Sequence, residues 1–448
     1  MAVLGLESLR AEIGGCAALR RLAHVVEVGR GVLTAGGIGA DWRLGDRVQL
    51  IGGERTGGEI VALADGQATI LTDGPVEGAR LGDRIENLGT VGIAPDDSWI
   101  GRIVDPFGRA IDGKPLLRGP HDRPLRASPP APAQRRRLGP RLETGMAVFN
   151  TLLPIVRGQR IGLFAGSGVG KSSLLARFAR GVEAEVTVIA LVGERGRELR
   201  EFVEDVLGSE GMARSVIVAA TSDQSPLVRR RCAWAAMSVA EHFRDAGMQV
   251  LFLADSITRF AEAHREVALA AGEPASLRGF PPSTAHLIMS LAERAGPGTE
   301  GTGDITAVFS VLVAGSDMDE PVADILRGAL DGHVVMEREI AERGRHPAIN
   351  LLRSVSRSLP QAASEPENAI IARARRLLGA YDRAEMMIQA GLYAAGSDPL
   401  IDAAIRAWPA LDAFLAEDAD GGVAESFARL QAILDRADVQ AIPPQATG

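Results

Sequence analysis

A buried strand that runs into a glycine-rich turn and then straight into a helix is spelled out by residues 160 to 180, RIGLFAGSGVGKSSLLARFAR. Arg160 to Ala165 is an apolar run of strand length, and Leu174, Leu175 and Phe178 fall on one helical face. Between them Gly166, Gly168 and Gly170 carry no Cβ, so successive backbone N–H groups converge on one concavity at a helix N-terminus, where the dipole favours anions. That is a phosphate cradle. Gly166, Ser167, Gly168, Val169, Gly170, Lys171, Ser172 and Ser173 are the expected nucleotide-binding stretch, with Lys171 as a point charge for the outer phosphates and the Ser172 hydroxyl as a magnesium ligand. The general pattern starts with glycine, and this chain has Ala165 there. Of the 49 basic residues only Lys114 and Lys171 are lysine, so a chain that otherwise writes Arg keeps Lys where a compact charge is needed.

Two further strand ends bear on the same site. VLFLAD ends in Asp255, a carboxylate suited to the Mg²⁺ shell opposite Ser172; an apolar strand ending in Asp is common and gains meaning only beside the loop. VTVIALV runs into Gly193-Glu194-Arg195, which places a second carboxylate at the same edge. Glu194 is either the group that orients and polarises an attacking water or a helix-start acid that satisfies the macrodipole.

At 448 residues the chain has room for two or three domains. Residues 1–21 read as a short amphipathic helix, either a partner-docking element or a frayed terminus. Residues 22–94 hold short β-rich pieces (VVEV, GVLT, RVQLI, EIVALA, QATILT) between glycines and read as a small β-barrel. Residues 95–140 read as a Pro-rich linker. Residues 141–362 alternate apolar strands (161–165, 186–192, 216–220, 250–254, 305–313) with helical periodicity, which implies a parallel sheet covered by helices. Residues 363–440 are Ala-rich and helical, and 441–448 form a polar tail expected to be disordered.

No run reaches the length of a membrane span, and the N-terminus lacks the layout of a signal peptide. Cys16 and Cys232 are far apart, which suits a reducing cytosol and makes no metal site. A net charge of −8 and 4% aromatic residues speak against nucleic acid as a partner, and the runs Arg135–Arg137 and Arg229–Arg231 read as solvated arginines.

GERGRE (193–198), LFLADSITRFAEAHRE (251–266), AAGEP (270–274), RGFPPS (278–283), RGALDGHVV (327–335), HPAIN (346–350) and SVSR (354–357) together resemble the hexameric ATPases akin to the catalytic subunit of the rotary ATP synthase. Within that family they look closest to the ATPases of flagellar and type III protein export, whose own form of the loop is similar to FAGSGVGKS. The resemblance implies an α/β P-loop (RecA-like) core with a β-barrel before it and a helical domain after it. It implies ATP hydrolysis with Mg²⁺ held at Ser172 and Asp255, Lys171 on the β and γ phosphates, and Glu194 as the catalytic carboxylate. Arg195 and Arg259 match arginines near the γ-phosphate. Arg357 matches an arginine offered to the neighbouring subunit's nucleotide, the alternative being a buried Arg that ties two helices. His346 stands where the family stacks an aromatic ring on adenine, Asn350 replaces an Asp, and Phe280 replaces a Tyr. Asp317, Asp319 and Glu320 have metal-like spacing, but solvated acids before a helix that starts at Pro321 are the better reading.

The same resemblance implies a cytoplasmic homohexamer peripherally associated with the inner membrane at an export apparatus. Its expected partners are a stator-like regulator at the N-terminal helix, a coiled-coil stalk protein at the C-terminal domain, membrane proteins of the export gate, and chaperone–substrate complexes. SRSLP and DGHVVMEREIAERGR favour the flagellar over the virulence (injectisome) branch. The rivals from other classes are an RNA-dependent ring helicase, which would show RNA-stimulated hydrolysis, and a non-catalytic nucleotide-binding ring subunit, whose Glu194→Gln form would match wild type.

Overall fold

The computed structural model describes residue 13 and residues 19–29, 31–51, 56–313 and 318–439. The expected N-terminal docking helix, the tail 441–448, Cys16 and Asp317 lie outside them, apart from the end of the first segment.

Six strands form a closed barrel in the order β1-β2-β5-β4-β3-β6: β1 (Arg21–Val28), β2 (Val32–Gly36), β3 (Arg47–Ile51), β4 (Gly57–Ala64), β5 (Gln67–Thr72) and β6 (Arg84–Gly89). Alternation drives it, since Leu33 and Ala35 on β2 and Ala68 and Ile70 on β5 turn inward to meet Val25, Ile60 and Ile85. Closure leaves no unpaired strand edge.

The core is an eight-stranded sheet in the order β14-β13-β8-β12-β11-β9-β10-β7. Its strands are β7 (Arg102–Val104), β8 (Arg160–Ala165), β9 (Val186–Glu194), β10 (Ser215–Thr221), β11 (Val250–Asp255), β12 (Ile305–Leu312), β13 (Gly332–Met336) and β14 (Ile349–Ser356). Every pairing is parallel except β13 with β14. The strands are apolar at nearly every position because both faces are covered. On β9, Ile189 and Leu191 face the helix Lys171–Gly181 and the C-terminal helices, whereas Val188, Ala190 and Val192 face the helices Pro226–Asp245 and Ile257–Ala270.

Three features depart from expectation. Within 95–140, read as a linker, β7 joins the sheet beside β10, and Trp99 is buried; the strand is three residues long, too short for periodicity to announce it, and a two-pronged Arg102–Asp112 pair holds it. The antiparallel edge pair β13–β14 makes the sheet mixed rather than purely parallel. The run Arg229–Arg231 is not solvated, and in Arg135–Arg137 only Arg135 is withdrawn from solvent, Arg136 and Arg137 being exposed. Arg230 and Arg231 are each only 5% exposed. Arg230 pairs with Glu59 of the barrel at 2.9 Å, and Arg231 donates to the carbonyls of Pro106, Val91 and Gly92. Their guanidinium planes lie over Trp234 and Phe107, so they fasten the barrel to the core. Arg135 likewise donates to main-chain carbonyls of Pro130 and Glu293, and Arg136 pairs with Asp304 at 2.7 Å.

The helical C-terminal part, Glu365–Gln389, Pro399–Phe414 and Gly422–Val439, inserts Ile371, Leu377, Leu378, Leu411 and Leu430 into the same apolar cluster as the phosphate-loop helix. Asp418 pairs with Arg177 of that helix. Among the described residues no helix is long and apolar enough to cross a membrane.

Candidate functional site

The loop that follows β8 enters the helix Lys171–Gly181 through Gly168 (φ 77°) and Gly170 (φ 90°), left-handed conformations that a Cβ would strain. Ala165 is different: it is fully buried at the end of β8, paired in register with Leu312 and Met336, in extended backbone that asks nothing of glycine. The departure from the general pattern thus has no conformational cost.

Parallel strands bring their carboxyl ends to one edge, and there the structure gathers four residues expected in the site: Lys171, Ser172, Glu194 at the end of β9, and Asp255 at the end of β11. Lys171 Nζ forms an ion pair with Asp255 Oδ1, both largely buried. The same Oδ1 accepts from the Ser310 hydroxyl of β12 at 2.8 Å. A cavity of about 250 Å³ opens between these groups, lined by Ser172, Ser173, Glu194, Glu198 and Asp255, with Phe202 and Val206 as an apolar wall. Phe202 and Val206 lie in a π-helical stretch, Phe202–Leu207, that continues the helix Gly196–Glu201.

The Glu194 carboxyl is pushed up to about 7, first by burial and then by the negative charge of Asp255, against the opposing pull of Lys171. A hydrogen bond to Glu198 adds to the rise, and Glu198 itself is held below the ordinary carboxylate range, chiefly by Arg195 at 2.7 Å. The two carboxyls are therefore pushed apart, Glu194 towards its neutral form and Glu198 towards its charged form.

Arg195 is exposed and committed to Glu198. Arg259 is half-exposed and pairs with Glu262 at 2.9 Å. Gly193 (φ 71°) turns the chain near the end of β9, just before Glu194, with Arg259 and Arg229 packed about 3.5 Å from where its Cβ would stand. His346 reaches the phosphate loop from the start of β14, its Nδ1 3.6 Å from the position of a Cβ on Gly170. Asn350 instead donates to Glu337 at 2.8 Å, and Phe280 lies under the Arg265 guanidinium.

Arg357 is not at this edge. Its backbone N–H donates to Asp331, whose own N–H donates to Arg160 at the beginning of β8, so it lies at the amino end of the strand that feeds the loop. With about 3.3 Å per strand residue, the length of β8 alone separates it from Lys171 by roughly 15–20 Å. Its guanidinium is exposed and donates to the carbonyls of Leu330 and Arg327. Asp319 and Glu320 precede a helix that starts at Pro321, with Arg327 3.9 Å from Asp319, and among the described residues no cluster of His, Cys, Asp and Glu has the makings of a metal site.

Sequence reasoning missed Ser310, Glu198 as partner of Glu194, and the Phe202 wall. Only Glu198 left a signal, as the last residue of GERGRE. A larger cavity of about 570 Å³ lies between barrel and core beside Trp234 and His264, away from the phosphate loop.

Residues 145–356 match the nucleotide-binding domain of the ATP synthase alpha/beta family, and residues 363–432 match the C-terminal domain of the type III secretion ATPase EscN. The chain is 45% identical to the flagellum-specific ATP synthase of Caulobacter vibrioides over 92% of its own length and 93% of that protein. It is 39% identical to the type 3 secretion system ATPase of Xanthomonas euvesicatoria, again over 92% and 93%. The structure of the assembled ATPase EscN from enteropathogenic E. coli superposes with a TM-score of 0.86 at 34% identity, covering 92% of this chain and all of that one. This chain is therefore an ATPase, and it belongs to the family that comprises the flagellum-specific ATP synthases and the type III secretion ATPases.

Proposed function

We propose that the chain is the ATP-hydrolysing motor of a flagellar type III export apparatus. It works as a homohexameric ring that releases and unfolds export substrates from their chaperones at a membrane export gate. The observation that carries the chemistry is the convergence of Ser172, Asp255 and Glu194 around one cavity, with Lys171 paired to Asp255 beside it.

In this reading the N–H groups of Gly166 to Ser173 bind the phosphates of ATP, and Lys171 leaves Asp255 for the β and γ oxygens. The hydroxyl and carboxylate oxygens of Ser172 and Asp255 form a hard donor set suited to magnesium, and the Lys171–Asp255 ion pair supports Asp255 as an acceptor of a cation. Bound there, Mg²⁺ neutralises charge on the phosphate oxygens. Glu194 orients the attacking water and takes its proton, and Glu198 with Arg195 fixes its carboxyl. Arg195 and Arg259 approach the γ-phosphate, and His346 stacks on adenine.

Arg357 acts on the nucleotide of a neighbouring subunit; its distance from Lys171 in its own chain supports action in trans. Ring assembly and a stalk partner are supported by the solved assembly of EscN and its complex with the central stalk EscO, the latter superposing with a TM-score of 0.83. Contact with a stator-like regulator at residues 1–21, with the gate and with chaperone–substrate complexes at the inner membrane rests on the family resemblance.

The chain is 45% identical to a flagellar relative and 39% to an injectisome one, and the flagellar branch is the reading put to the test. The test is Glu194→Gln in the source organism, with filament protein outside the cell and swimming as readouts. Loss of both is the expected result. Intact filaments with lost secretion of other proteins would move the chain to the injectisome branch.

A further inference from the structure

Strand β12 carries a hydroxyl that no step above uses. Ser310 is wholly buried, and the register that sets Ala254 beside Phe309 brings its Oγ to the end of β11, where it donates to Asp255 Oδ1 at 2.8 Å. Lys171 Nζ meets the same oxygen. The two donors differ in permanence. Lys171 sits on a long flexible stem and is the group that phosphate competes for, whereas Ser310 carries its hydroxyl on a one-carbon side chain of a strand flanked by β8 and β11.

We infer that Ser310 is a positioning residue for magnesium: it holds the Asp255 carboxylate in its metal-binding orientation once Lys171 has moved to the nucleotide. The inference rests on the magnesium role proposed above for Asp255. Groups that orient a metal's carboxylate act on metal affinity, not on the phosphates, and their loss weakens metal binding about tenfold or more.

The test titrates Mg²⁺ into the full chain with a fluorescent adenine nucleotide and follows binding, not turnover, in wild type, Ser310→Ala, Ser310→Thr and Asp255→Asn. Ser310→Ala is expected to raise the Mg²⁺ midpoint about tenfold, to leave nucleotide affinity in chelator unchanged, and to be restored by Ser310→Thr. An unchanged midpoint in Ser310→Ala, an equal loss with and without Mg²⁺, or a Thr variant that behaves like Ala would each overturn it. If wild type and Asp255→Asn respond to Mg²⁺ alike, the magnesium role of Asp255 fails first, and the inference falls with it.

Discussion

Glu194 is the residue on which the pH behaviour of the site turns. A base must be unprotonated to take a proton, and burial together with the Asp255 charge has pushed this carboxyl to about 7. The kcat/KM for ATP is therefore expected to rise with pH through about 7 and level off above it, and Glu194→Gln should lower kcat by about 10²–10⁴-fold; a kcat/KM flat from pH 6 to 8 would remove Glu194 from that role. The same shift has a stability consequence. The folded chain holds a proton that the unfolded chain releases near the ordinary carboxylate value of 4.5, so folding stability falls as pH rises from there to about 7. Glu194→Gln is expected to melt about 2 °C or more above wild type at pH 8 and level with it at pH 4; equal melting curves at pH 8 would contradict the shift. Lys171, Glu194 and Asp255 were legible in sequence because glycines, a lone lysine and acids at the ends of apolar runs are rare in combination. Ser310 was not, because one serine in ITAVFSVL looks like any strand residue until the register sets it beside Asp255.

At the level of elements, what periodicity announces is burial, and it fails where burial is partial or the element is short. The central strands β8 to β12 were plain in sequence. β14, whose Leu352 and Val355 face outward, and the three-residue β7 were not. The join between barrel and core was hidden for a different reason: a run of three arginines reads as solvent-facing, yet the helix Pro226–Asp245 turns Arg230 and Arg231 inward against the barrel. Breaking a buried ion pair on one side leaves the other charge short of its partner, and Glu59 would keep only the more exposed Arg126 at 3.7 Å. Arg230→Ala should therefore destabilise the chain by about 3–5 kcal/mol, measured by denaturant unfolding, whereas Glu262→Ala at the half-exposed Arg259 pair should change it by less than about 1 kcal/mol. A loss below about 1 kcal/mol for Arg230→Ala would mean that the barrel is held by its apolar contacts alone.

For the whole molecule, the placement of Arg357 at the opposite end of β8 from the phosphate loop means that one copy does not complete its own proposed site. Specific activity should then rise with protein concentration as rings assemble. Lys171→Ala and Arg357→Ala should each lack turnover, Arg357→Ala while still binding nucleotide. Mixed in equal amounts, they should regain activity, because about a quarter of the junctions in a closed ring then pair an intact lysine with an intact arginine. No recovery under conditions of subunit exchange would place the function of Arg357 within its own subunit.

The Lys171–Asp255 ion pair also changes how the usual loss-of-function experiment should be read. Lys171 serves as the internal counter-ion of a buried acid edge. Lys171→Ala is consequently no blank control: it strips Asp255 of its cation partner among the described residues and removes the pull that Lys171 exerts on the Glu194 carboxyl, so loss of activity through this variant mixes lost chemistry with lost stability. Glu194→Gln replaces a carboxyl that favours its neutral form with a neutral amide and leaves the counter-ion in place. It is the cleaner instrument for asking whether hydrolysis itself is needed.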